Sequence, residues 1–138
     1  MSNTIELVDD THCYVCGKAN IHGLQLKWET KGHHTKAEYF PAAHHQGWRG
    51  IVHGGLLATV LDEAMTRLAW QLHGPAMTAE ITVRFFNPAR TGEKLIVTGE
   101  VSHAKGKLIS AKSEIRSHQG RLIATATGKI LKIKDPIT

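Results

Sequence analysis

The stretch Gly54-Gly55-Leu56-Leu57-Ala58-Thr59-Val60-Leu61-Asp62-Glu63-Ala64-Met65-Thr66-Arg67-Leu68-Ala69-Trp70-Gln71-Leu72-His73-Gly74-Pro75 decides the fold class. Its apolar residues, Leu56, Leu57, Val60, Leu61, Ala64, Met65, Leu68, Ala69 and Leu72, recur at i, i+1, i+4 and i+5. That spacing draws a wide apolar stripe on a helix of 3.6-residue period. Gly54 and Gly55 mark the start. Gly74-Pro75 marks the end, because proline cannot continue a helix and glycine suits the residue that closes one. Asp62, Thr66 and Arg67 fall off the centre of the stripe.

Outward from this helix the pattern changes to strands. Residues 78–86 alternate, with Ile81, Val83 and Phe85 on one side, and Asn87-Pro88 closes the run. Strands are expected next over 94–103, 107–117 and 121–133. The turns between them, Ala104-Lys105-Gly106-Lys107 and His118-Gln119-Gly120-Arg121, place glycine where a short hairpin needs positive φ. Upstream, Leu24, Leu26 and Trp28 alternate, Lys31-Gly32 turns, and 35–40 alternates again, which reads as a hairpin. Two strands, one apolar helix and four strands predict an α+β class in which an antiparallel sheet wraps around a central helix.

Composition sets the outer limits. The chain has 138 residues, enough for one domain with a real core, and 41% of them are hydrophobic. No apolar run approaches the roughly 18 residues that span a bilayer. Residues 1–10 are mostly polar and end acidic, so no secretory signal is expected, and two cysteines make no disulfide scaffold. A cytoplasmic protein with no membrane partner is expected. Lys plus Arg number 17 against 12 acidic residues, a net charge of +5 that suits an anionic partner or merely solubility. The basic residues are scattered and no nucleic-acid motif is present, so a nucleic-acid partner is not expected.

The segment His44-His45-Gln46-Gly47-Trp48-Arg49-Gly50-Ile51-Val52-His53-Gly54-Gly55 runs straight into the helix. A glycine-lined helix start offers unpaired N–H groups and the positive end of the helix dipole, suited to an oxyanion; the same glycines also allow a tight packed turn. Within the helix, Asp62 at the edge of the apolar face is a candidate general base or nucleophile. His53 and Asp62 are nine residues apart, roughly 13 Å along a helix. Two such groups meet in one site only if a second subunit supplies one of them.

His53-Gly54-Gly55 followed by Leu61-Asp62-Glu63-Ala64, together with Met77-Thr78-Ala79-Glu80-Ile81-Thr82-Val83-Arg84-Phe85-Phe86-Asn87-Pro88, resembles the hotdog-fold acyl-CoA thioesterases of the PaaI type, over roughly residues 23–133. The resemblance implies a hotdog fold, hydrolysis of an acyl-CoA thioester, and an active site shared in a homodimer or homotetramer. It implies Asp62 as base or nucleophile, the Gly54 N–H as oxyanion donor and His53 beside it. It implies Gln46 for orienting the thioester or water and Thr78 for holding the water. Gly55 and Trp48 are expected to line the substrate site. Arg84, Asn87, Arg90 and Lys105, with Lys107, are expected near the nucleotide of coenzyme A, which belongs to the substrate; no separate cofactor is expected. Glu63 leaves open a hotdog hydratase or dehydratase, and a non-catalytic acyl-CoA-binding module is a third reading.

Cys13-Tyr14-Val15-Cys16-Gly17 has zinc-knuckle spacing, and a full site needs two more ligands. His12 and His22 are nearby, but there is no second CxxC, and the cysteines read as small apolar residues of a turn. The expectation is therefore no metal, and residues 1–22 read as an N-terminal extension carrying a CxxC turn. His33-His34 and His44-His45 are expected to be exposed, and Trp28, Trp48 and Trp70 to anchor core or interface.

Overall fold

The computed structural model describes residues 6–133. Residues 1–5 of the polar N-terminal stretch therefore lie outside the described residues. The expected helix is α1, Gly54–His73. Its buried face is Leu57, Val60, Leu61, Ala64, Met65, Leu68 and Ala69, the centre of the stripe. The Gly74 N–H closes the helix on the Trp70 carbonyl at 2.9 Å.

Around α1 runs one antiparallel sheet built from β1 (Glu29–Lys31), β2 (His34–Tyr39), β5 (Ala76–Phe85), β6 (Leu95–Lys105), β7 (Leu108–Ser117) and β8 (Leu122–Lys132). The order across the sheet is β1-β2-β6-β7-β8-β5, which leaves β5 on an edge. This is the hotdog fold: a sheet curved around one central helix. Gly106 (φ 58°) and Gly120 (φ 92°) occupy the two hairpin turns as expected. Inward-facing Val97, Ile109, Ile115, Ala124, Ala126 and Ile130 close on the helix stripe to make the core.

Three expectations change. The apolar alternation at Leu24, Leu26 and Trp28 forms no ladder with β2. Gln25 takes φ 53°, which breaks the extended run, and the N–H groups of Leu24 and Leu26 donate to Tyr14 and Val15 carbonyls of the CxxC loop. The segment before the helix instead carries a second, two-stranded sheet, β3 (Gln46–Trp48) with β4 (Ile51–Val52). His45 just upstream is buried, against the expectation of exposure. Its Nδ1 accepts from the Ala42 N–H at 3.0 Å and lies 3.0 Å from the Tyr39 hydroxyl. Because a backbone N–H only donates, that nitrogen is unprotonated, consistent with burial and then His44 lowering the His45 pKa.

The helix and sheet approach most closely where side chains are smallest. The Ser113 hydroxyl donates to the Leu61 carbonyl at 2.9 Å. A Cβ on Gly99 would sit 2.7 Å from the Ala64 carbonyl oxygen, an atom held in the helix backbone. Gly99→Ala is thus expected to destabilise the fold by about 1–3 kcal/mol, read by denaturant titration. An unchanged midpoint would mean the helix shifts freely at this point.

Candidate active site

Asp62 and Thr66 stand one helical turn apart on α1, which puts both side chains on one face. The turn at Gly74-Pro75 brings the start of β5, and with it Thr78, back against that face. The Thr78 hydroxyl donates to Asp62 Oδ1 at 2.7 Å; Thr66 Oγ1 lies 3.4 Å from the same oxygen and 2.8 Å from Thr78 Oγ1. Two hydroxyls therefore orient one carboxylate oxygen, and Oδ2 has no hydrogen bond among the described residues. The three residues line a cleft of about 910 Å³ whose walls also include Trp70, Gln71, Met77 and part of the N-terminal segment. Thr66 is a residue that sequence reasoning missed; the signal was its i+4 spacing from Asp62.

The other end of α1 is built around His53. Its φ −60°, ψ 130° is extended, as an N-cap requires, and its Nδ1 accepts from the Gly55 N–H at 2.9 Å. The N–H groups of Leu56 and Leu57 both donate to the His53 carbonyl. That leaves the Gly54 N–H as the donor of the first turn with no acceptor among the described residues. Gly54 lines a small cleft of about 280 Å³ with Leu57 and the Phe85–Ala89 segment. A Cβ on Gly54 would lie 3.6 Å from the Phe85 ring.

The remaining site residues fall as follows. Gln46 Oε1 accepts from the Gly50 N–H at 3.1 Å, which ties the β3–β4 turn, and Gly47 backs onto His53. Asn87 Nδ2 donates to the Leu122 carbonyl at 2.7 Å and so shapes the loop over the Gly54 cleft. Arg90 forms an isolated antiparallel backbone bridge with Ile51, next in sequence to Ala89 of that cleft. Trp48 is 82% exposed and lines neither cleft. Arg84 projects into a concavity of about 390 Å³ with Thr82, Glu100 and Glu114, on strand positions that alternate with those facing the helix. Lys105 ends β6 in register with Leu108, which pairs with Leu131 and through it Met77, so it belongs to the Thr78 end of the sheet. Sequence reasoning grouped these cations; the fold distributes them over two ends and two faces.

Glu63, next to Asp62, turns elsewhere. Its Oε2 lies 3.7 Å from Cys13 Sγ, and Arg67 Nη1 donates to Cys16 Sγ at 3.2 Å. Burial, and after it Glu63, push the Cys16 thiol well above its ordinary pKa. Within one chain Gly54 and Asp62 are eight residues apart on the same helix, roughly 12 Å. The structure does not bring the Gly54 N–H and the Asp62 carboxylate together in a single subunit.

Comparison with known proteins agrees with this architecture. Over 94 residues the chain is 33% identical to acyl-coenzyme A thioesterase THEM4 of Xenopus laevis, spanning 67% of this chain and 42% of that protein's length. It is 26% identical over 108 residues to a putative esterase of Archaeoglobus fulgidus, covering 78% of this chain and 70% of that one. Among solved structures, the Escherichia coli PaaI protein superposes with TM-score 0.74 at 21% identity, over 79% of this chain and 84% of that one. A hypothetical thioesterase of Streptococcus pneumoniae, solved with coenzyme A, superposes with TM-score 0.73 at 19% identity, covering 77% and 86%. No helix among the described residues is long and apolar enough to cross a membrane. With the thioesterase superfamily model matching residues 49–124, more than half its length, the chain belongs to that superfamily.

Proposed function

We propose that the protein is an acyl-CoA thioesterase whose active site is assembled between two copies of the chain. The observation that carries this reading is the placement of two incomplete half-sites at opposite ends of an edge strand. β5 is a sheet edge, and it carries exposed Met77 and Phe85 with half-buried Ile81 and Val83 between them. An exposed apolar edge of this kind invites another strand. Thr78 and Phe85 are seven residues apart, roughly 23 Å along the strand. Antiparallel pairing of two β5 strands about a two-fold axis near Ile81 and Thr82 sets Thr78 of one copy opposite Phe85 of the other. Asp62 travels with Thr78 and Gly54 travels with Phe85, so each pairing brings a carboxylate to a free N–H, twice per dimer.

In that composite site the Gly54 N–H donates to the thioester oxygen and stabilises it as negative charge develops, helped by the positive end of α1. Asp62, held by Thr78 and Thr66, attacks the carbonyl carbon or takes a proton from the attacking water. The C–S bond breaks and the coenzyme A sulfur leaves, taking up a proton as the thiol; where Asp62 itself attacks, water then cleaves the acyl–Asp62 anhydride to the free acid and restores the carboxylate. A basic chain attracts the phosphates of that carrier. Glu63 faces Cys13 rather than the Asp62 hydroxyl pair, which supports Asp62 over Glu63 as the reacting group.

The test is a panel of aromatic, short-chain and long-chain acyl-CoA thioesters, with release of free coenzyme A thiol as readout. Turnover of at least one class is expected. Tight acyl-CoA binding without turnover would make the protein a binding module, and hydration of an enoyl-CoA abolished by Glu63→Gln alone would make it a hydratase. Size-exclusion chromatography adds a separate check, since a strict monomer cannot form this site.

A further inference from the structure

The function above leaves one cluster unused. Cys13 Sγ, Cys16 Sγ and a carboxylate oxygen of Glu63 all lie within 4.8 Å of one another, half-buried at the wall of the Asp62 cleft. We propose that Cys13, Cys16 and Glu63 form a binding site for a zinc-class divalent cation, with Arg67 as its charge-balancing neighbour.

Three features on different parts of the chain converge on this. The first is spacing. Zinc–sulfur bonds of about 2.3 Å and zinc–oxygen bonds of about 2.0–2.2 Å give tetrahedral donor-to-donor edges of about 3.5–3.8 Å. The Cys13 Sγ to Glu63 Oε2 separation is already 3.7 Å. The second is the donor set: two thiols and a carboxylate with a fourth position open to the cleft suit zinc and disfavour the hard cations magnesium and calcium.

The third is Arg67. Its guanidinium is half-buried, its Nε has no partner, and among the described residues it makes no ion pair. Among the described residues its one hydrogen bond goes to Cys16 Sγ. A dication held by two thiolates and one carboxylate carries a single net negative charge, which is the counter-charge this guanidinium lacks. Binding displaces the two thiol protons to solvent. The ion would also stitch the CxxC loop onto α1, one residue from Asp62, and so fix one wall of the cleft.

The experiment uses the full chain, stripped with a chelator and kept under reductant. Zinc is titrated against a chromogenic competitor, and cobalt(II) is titrated separately, because thiolate-to-cobalt charge transfer absorbs only when cysteine ligates. One ion per chain is expected, with the charge-transfer band present. Cys13→Ser and Cys16→Ser should each abolish the band, and Arg67→Met should weaken zinc binding by about 10–100-fold, as loss of a hydrogen bond to a ligand does. Circular dichroism checks that each variant folds. Should the serine variants unfold, Glu63→Gln decides, since it keeps volume and removes the anionic ligand, and weaker zinc binding is expected. The proposal is overturned if wild-type protein binds zinc no more tightly than Glu63→Gln, or if cobalt gives no charge-transfer band.

Discussion

Asp62→Asn is expected to lower kcat for acyl-CoA hydrolysis by about 10²–10⁴-fold while KM moves little. Asparagine preserves the size of the side chain and an oxygen that accepts from Thr78, so the 2.7 Å contact and the packing of β5 on α1 survive. What disappears is the anionic oxygen that attacks or takes the proton. A loss confined to kcat is the signature of an interaction made in the transition state, whereas misfolding would show in the melting curve and in the active fraction. If the variant hydrolyses the best acyl-CoA at the wild-type rate, Asp62 is not the reacting group and the assignment fails.

A second large effect is expected from Gly54→Pro. Proline is well tolerated at the first position of a helix, where the N–H has no intrahelical partner. The preceding His53, at φ −60° and ψ 130°, already has the backbone that a residue before proline adopts. The substitution thus deletes the one free donor of the first turn while the helix persists, and kcat should fall by about 10²–10³-fold, the usual worth of an oxyanion donor. Gly54→Ala is the control. It keeps the N–H, and its Cβ meets the Phe85 ring at an ordinary 3.6 Å, so most activity should remain.

Mixing the two inactive variants tests the shared site directly. A heterodimer of Asp62→Asn with Gly54→Pro has one site with both defects and one with neither, so random exchange should restore about a quarter of wild-type activity. Absence of any recovery, with subunit exchange verified, would mean that no site combines Asp62 of one copy with Gly54 of the other.

The helix was legible because its signal is local. Nine apolar residues on a 3.6-residue period, with glycines at both ends, leave little freedom, and the strands after it announce themselves through alternation and turn glycines. Leu24, Leu26 and Trp28 show where local reading fails. Their alternation is that of a strand, but Gln25 at positive φ diverts the segment to the CxxC loop, and nothing in the apolar pattern encodes that partner. His45 shows the same limit. A histidine beside another histidine in a polar stretch reads as exposed, yet Tyr39 and the Ala42 N–H supply the hydrogen bonds that let it be buried.

By itself the sequence determined the α+β class, the bounds of α1 and the hairpin turns, which follow from residue type and local spacing, while the pairing of Asp62 with Gly54 was what the family resemblance implied. The tertiary structure alone decided which atoms meet. It put Thr78 and Thr66 on Asp62, left the Gly54 N–H free by giving His53 to Gly55, and set Glu63 beside cysteines 47 and 50 residues away in the chain. The physical reason is that periodicity fixes which face of an element is buried, while contacts between elements depend on how the whole sheet curves around the helix. Glu63 is for that reason distant from Cys13 and Cys16 in sequence and beside them in space.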